Sequence, residues 1–121
     1  MSMKNEEYQI QVAVVNYLSY QYPDVLFNAD CGGQRYGEGI QAIMRGKRMK
    51  ASGHKKGFPD LAIFEPRGKY HGLFIELKVD KNGVLSYEQD DWLVELDKRG
   101  YYSVCCRGFE SAKKCIDLYL K

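Results

Sequence analysis

Glu76 and Lys78 lie two residues apart within one short apolar run, Gly72-Leu73-Phe74-Ile75-Glu76-Leu77-Lys78-Val79. Side chains two apart on a β-strand share a face, so the carboxylate and the amine stand side by side while Leu73, Ile75, Leu77 and Val79 point the other way. Upstream, Gly57-Phe58-Pro59-Asp60 turns the chain into the preceding apolar run, and a hairpin between the two runs brings Asp60 beside Glu76 and Lys78. Two carboxylates with space for water suit Mg²⁺, a hard cation that binds few protein ligands and keeps several waters. A cation so placed polarises a phosphoryl oxygen and acidifies a water. The lysine positions or deprotonates that water, or balances charge building on the phosphate. The chemistry is phosphodiester hydrolysis. The same pattern also describes an edge strand whose charged face is merely solvated, and spacing leaves both readings open. Pro23-Asp24 has no such downstream partner, whereas Glu76-Leu77-Lys78 is the one acid-x-Lys triplet in the chain.

The elements that must position these residues are legible. Ile10, Val14, Tyr17 and Leu18 form a helical stripe from Glu6 to about Gln21, ended by Tyr22-Pro23-Asp24 because the residue before proline leaves the α region. A short strand at Val25 to Asn28 precedes a loop, Ala29 to Gly39, and a short helix at about Ile40 to Lys47. Leu61 to Phe64 and Gly72 to Val79 read as strands joined by the turn residues Glu65-Pro66-Arg67-Gly68-Lys69, a β-hairpin. The helix after them has the clearest ends. Ser86 caps it and Gln89, three residues on, completes a capping box; Asp90 and Asp91 sit in the first turn, Lys98 and Arg99 in the last, and Gly100 stops it. Tyr101 to Arg107 is strand-like, and Glu110 to Leu120 is an amphipathic helix. The order α-β-β-β-α-β-α, with the short helix inside the first long loop, predicts an α/β domain with a mixed β-sheet flanked by helices.

Charge is unevenly placed. Arg45, Lys47, Arg48, Lys50, Lys55 and Lys56 lie between Met44 and Lys56 with no acid among them, and the remaining 12 basic residues face 16 acids. One basic segment on an acidic body fits a local anion-binding surface, here for a nucleic-acid backbone; the plainer reading is a solvated loop.

The motifs Gly57-Phe58-Pro59-Asp60, Glu76-Leu77-Lys78 and Leu85-Ser86-Tyr87-Glu88-Gln89 together resemble the VRR-NUC domain of the PD-(D/E)xK nuclease superfamily. The similarity runs from about Lys50 to Ala112 and includes Tyr70-His71-Gly72-Leu73-Phe74 and Arg107-Gly108. It implies a restriction-endonuclease-like core and a Mg²⁺- or Mn²⁺-dependent nuclease, often acting on branched DNA such as a four-way (Holliday) junction. It makes Asp60, Glu76 and the Leu77 carbonyl the metal ligands, Lys78 the catalytic lysine, and Gln89 a further site residue, in competition with its capping role. It also places a glutamate of the first helix near the metal. Both Glu6 and Glu7 qualify, and Glu7 shares the stripe of Gln11, Val14 and Leu18. The sequence departs from the family at Tyr87, where proline is usual at the first helical position.

The chain has 121 residues, 45% hydrophobic and 28% charged, which fits one globular domain spanning 1–121 and argues against disorder. No apolar run reaches the ~18 residues that span a bilayer, and the polar start, Met1 to Gln9, has no signal-peptide character, so a cytoplasmic protein of phage or bacterial type is expected. Cys31, Cys105, Cys106 and Cys115 form no CxxC pair and are expected reduced and mostly buried, and His54 and His71 stand alone. So small a domain has little room for a separate specificity module, and a symmetric homodimer would supply two sites and the footprint that a junction requires. The alternatives are a non-catalytic nucleic-acid-binding module and a nuclease subunit active only with a helicase or repair partner. The intact Asp60, Glu76 and Lys78 weigh against the first.

Overall fold

A computed structural model describes residues 3–30 and 39–121. Its elements are α1 (Met3–Gln21), β1 (Phe27–Ala29), α2 (Gly39–Ala51), β2 (Leu61–Ile63), β3 (Leu73–Lys78), α3 (Tyr87–Lys98), β4 (Tyr102–Arg107) and α4 (Phe109–Leu120). The strands form one mixed sheet in the order β1-β2-β3-β4. β1 pairs with β2 and β2 with β3 antiparallel, and β4 lies parallel to β3 after the α3 crossover. The predicted hairpin is β2–β3, with Leu61 opposite Ile75 and Ile63 opposite Leu73.

Alternation along β3 divides the interior in two. Leu73, Ile75 and Leu77 join Leu61 and Ile63 under α1 and α4, where Val14, Leu18, Ala112 and Ile116 close the main core. Phe74 points to the opposite face, toward Ala62 and Leu96, with Phe58, Trp92 and Tyr101 packed around it. Glu76 and Lys78 share the parity of Phe74 and so lie on the α3 side of the sheet.

One sequence reading is corrected here. An edge position for the Glu76–Lys78 strand does not hold, because β4 pairs with β3 along its whole length, from Leu73↔Tyr102 to Lys78↔Arg107. All six residues of β3 are buried, with Glu76 3% and Lys78 8% exposed. Local pattern cannot report strand order, which is decided by where the α3 crossover delivers β4. A second difference is one of extent. α2 continues to Ala51, so Arg45, Lys47, Arg48 and Lys50 are helical, and no residue of this helix is fully buried. Cys106 is buried, Cys105 and Cys115 are half-buried, and all three are free thiols; Cys31 lies outside the described residues.

α1 is joined to α4 by a polar clamp. The Tyr17 and Tyr22 hydroxyls both donate to Asp117 Oδ1, at 2.5 and 2.6 Å, and Lys113 Nζ stands 3.5 Å from Oδ2. Partial burial would raise the Asp117 carboxyl, but the two hydroxyls and the Lys121 and Lys113 charges outweigh it and hold the group below the usual aspartate value of 3.8. A lowered carboxylate stabilises the fold above its unfolded value, and that contribution fades as pH falls through the folded one. Asp117→Ala should therefore lower Tm by roughly 5 °C at pH 7. The gap from wild type should close below about pH 3.8 in thermal melts across a pH series.

Candidate active site

Each residue of Gly57-Phe58-Pro59-Asp60 has a separate mechanical task. Gly57 has φ +92° and lies so close to α3 that a β-carbon would stand 2.7 Å from the Glu88 carbonyl carbon and 2.8 Å from the Gln89 nitrogen. Only glycine allows that approach and that φ. Phe58 anchors the loop edge-on to Phe74 and Trp92, with ring centroids 5.9 and 4.9 Å apart, and the Trp92 indole donates to the Lys56 carbonyl at 3.1 Å. Pro59 is fully buried. Asp60 then emerges against the end of β3.

There the Asp60 carboxylate accepts a hydrogen bond from the Leu77 backbone N–H at 2.7 Å. The last β2–β3 pair is Leu61↔Ile75, so at Leu77 the β3 backbone faces Asp60 instead of a strand. A strand residue's N–H and C=O lie on the same side, and the Leu77 carbonyl accordingly opens toward the same gap. Asp60 also shares a hydrogen bond with the Glu76 carboxyl. Glu76 is pushed far above the ordinary carboxylate range, to about 10, first by burial, then by the Asp60 hydrogen bond and charge, with Glu7 adding to the rise and Lys78 opposing it. Glu76, buried and set against a second carboxyl, favours its protonated form because both features penalise its charge.

The other predicted residues are distributed around this pair. Glu7 stands near enough for its charge to act on Glu76. One turn further along α1, the Gln11 amide donates to the Asp30 carbonyl at 3.4 Å, and the Asp30 N–H donates to the Asp60 carbonyl at 2.8 Å, so α1 is tied to the loop that bears Asp60. Glu6 is half-exposed and does not figure among the charges that raise Glu76. Gln89 forms both halves of the capping box: Ser86 N–H donates to its Oε1 at 2.9 Å and its own N–H donates to Ser86 Oγ at 3.1 Å. That leaves its side-chain NH₂ uncommitted by the cap, at the helix end pressed against Gly57. Arg45, Lys47, Arg48 and Lys50 are exposed on α2, while Lys55 and Lys56 lie beside the start of α3, where Lys56 Nζ is 3.7 Å from Glu88 Oε1.

One set of contacts around Lys78 lies outside the sequence reading. Gly83 packs against the aliphatic stem of Lys78, and the Arg107 guanidinium bonds the carbonyls of Asp80 and Gly83. Asn82-Gly83 is a turn dipeptide, but local pattern says nothing of its target, a side chain five residues upstream.

The donor set fits a hard divalent cation. Among the described residues no three Asp, Glu, His or Cys side chains gather closely enough to enclose a metal by themselves. The ligands on offer are two carboxylates and a backbone carbonyl, all oxygen, with the rest left to water and substrate, as Mg²⁺ prefers.

The VRR-NUC domain family matches residues 5–110 of this chain. The chain belongs to that family. A solved VRR-NUC domain protein is 27% identical, covering 95% of this chain and 88% of its own, with a TM-score of 0.77. A second solved VRR-NUC domain, 21% identical over 91% of this chain and 97% of its own, shares the fold at a TM-score of 0.54. No curated protein matches the chain. The VRR-NUC assignment makes this a nuclease-type domain, with DNA the implied substrate. Among the described residues no helix is long and apolar enough to cross a membrane.

The raised Glu76 carboxyl has a measurable consequence in the metal-free protein. A raised acid stabilises the fold fully below its unfolded value of 4.5 and loses that contribution as pH climbs toward about 10. Glu76→Gln keeps a donor to Asp60 at every pH. Its Tm should exceed wild type by about 4 °C or more at pH 8 and converge with it near pH 4.5.

Proposed function

We propose that this VRR-NUC domain is a Mg²⁺- or Mn²⁺-dependent endonuclease that hydrolyses DNA phosphodiester bonds, prefers branched DNA such as a four-way junction, and works as a homodimer. The observation that supports this reading best is the buried Glu76 carboxyl set against half-buried Asp60, with Lys78 beside it on the central strand. Ionising Glu76 where it is buried beside a second carboxyl is unfavourable without a cation, and a fold retains such a group where a ligand offsets that cost.

Asp60, Glu76 and the Leu77 carbonyl would hold the cation. When bound, it supplies Lewis-acid polarisation of the scissile phosphate and a water acidified toward neutral pH. Glu76 must give up its proton to bind it, so metal affinity rises with pH. Lys78 places its amine on the same face, where it orients the attacking water or neutralises charge on the pentacovalent phosphorus. Glu7, whose charge acts on Glu76, and the side-chain NH₂ of Gln89, which the cap leaves uncommitted, would hold outer waters. The exposed cations of α2 meet the backbone beyond the cut, through phosphates, since a junction is read by shape.

The decisive assay incubates purified protein with Mg²⁺ or Mn²⁺ and duplex, flap or four-way-junction DNA. Cleavage should require the cation and be fastest on the branched substrates. Asp60→Asn should abolish it with the fold intact. Lys78→Met should slow turnover by roughly two orders of magnitude while DNA binding survives. Metal-independent cleavage, or full activity in Asp60→Asn, defeats the reading.

The basic helix is tested separately by salt. Each phosphate contact contributes about −0.9 to the slope of log affinity against log salt. Replacing Lys47, Arg48 and Lys50 by alanine should flatten that slope by up to about 3, equally for different sequences of one DNA shape. An unchanged slope would remove α2 from the DNA path.

A further inference from the structure

Lys78 is the last residue of β3, where a strand has run out of neighbours and a long flexible side chain would ordinarily swing free. Three contacts prevent that here. Lys78 is paired in register with Arg107, and the Gly108 N–H donates to the Lys78 carbonyl at 2.9 Å, which fixes the backbone. Gly83 lies over the stem so closely that a β-carbon there would stand 3.1 Å from Lys78 Cβ and 3.3 Å from Cδ. The turn that carries Gly83 is itself held from β4: Arg107 Nη1 donates to the Asp80 carbonyl at 2.8 Å and also to the Gly83 carbonyl. Within the turn, Gly83 N–H donates to the Asp80 carbonyl at 3.2 Å and Asn82 N–H to Asp80 Oδ1 at 2.7 Å.

The geometry assigns Arg107 as the positioning residue for Lys78. The guanidinium bridges both ends of the Asp80–Gly83 turn, the turn presses Gly83 onto the lysine stem, and the stem then has one course to follow along the sheet face. A charge-assisted donor to two carbonyls suits this task, because it is stronger than a neutral bond and its partners are backbone atoms that do not rotate away. Arg107 does not itself reach the reacting groups; it acts through Gly83. Holding a catalytic amine within a fraction of an ångström and removing its rotamer freedom in advance is where such outer contacts contribute to rate.

The assignment rests on the nuclease reading for its consequence in turnover, but the clamp itself is measurable without metal or DNA. In Arg107→Ala, hydrogen–deuterium exchange of residues 80–84 should speed up at least tenfold, while the β2–β3 core exchanges as in wild type. Turnover on the best DNA substrate should fall about 10- to 100-fold with KM changed less than about threefold. Arg107→Lys, whose ammonium can donate to both carbonyls from one nitrogen, should recover turnover to within about fivefold of wild type. In a Lys78→Met background, adding Arg107→Ala should change the residual rate less than twofold, since the side chain it positions is gone. Equal losses in both backgrounds would show a merely structural role and overturn the assignment. A raised KM with a flatter salt slope would make Arg107 a phosphate contact and overturn it equally. If wild-type protein cleaves no DNA with either cation, the nuclease reading fails, and the exchange of residues 80–84 alone decides the clamp: unchanged exchange there overturns it.

Discussion

The structure turns on one unfavourable interaction, the forced approach of the Asp60 and Glu76 carboxyls. Glu76 has no freedom to retreat, since its strand lies between β2 and β4 and its neighbours Ile75 and Leu77 are fixed in the main core. Asp60 has none either, because Pro59 is buried ahead of it and its own carboxylate is bonded to the Leu77 N–H. The repulsion is therefore relieved by Glu76 favouring its protonated form. Much of the surrounding architecture serves to keep the two groups from parting.

That architecture draws on three layers. From below, α1 and α4 hold β3 through Val14, Leu18, Ala112 and Ile116, with Asp117 joining the helices at their rim. From above, α3 presents its N-terminus to Gly57 so that the Asp60 loop rests on helix backbone. Phe58 bridges Phe74 of the sheet to Trp92 of the helix, so a change in that small aromatic cluster would be felt at the carboxylate two residues away. From the side, β4 supplies the register partner of every β3 residue and, through Arg107 and Gly108, the fixed end of Lys78. An open gap beside Leu77 is the one place where the central strand lacks a neighbour, and it coincides with the carboxyl pair because β2 is shorter than β3.

The capping box of α3 leaves one end of its glutamine side chain uncommitted. Gln89 closes the helix with Oε1 and its backbone N–H, which leaves the side-chain amide protons for other use. Capping and a site role had looked like competitors in the sequence. They are compatible because an amide has an acceptor end and a donor end, and the cap engages the acceptor alone.

The sequence by itself determined what is local. The period of Val14 and Leu18, the ends of α3, the turn after Pro66 and the two-residue spacing of Glu76 and Lys78 are all properties of neighbours along the chain, and each was legible before any coordinates. The family motifs likewise pointed to Asp60, Glu76 and Lys78 as a group. Tertiary structure alone decided that β3 is central, that Glu7 lies near enough for its charge to act on Glu76, and that Gly83 and Arg107 immobilise the lysine. The reason is physical. Hydrophobic period and capping chemistry act within a few residues, whereas strand order, desolvation and the closing of a turn by an arginine 24 residues away depend on which distant segments the crossover brings together.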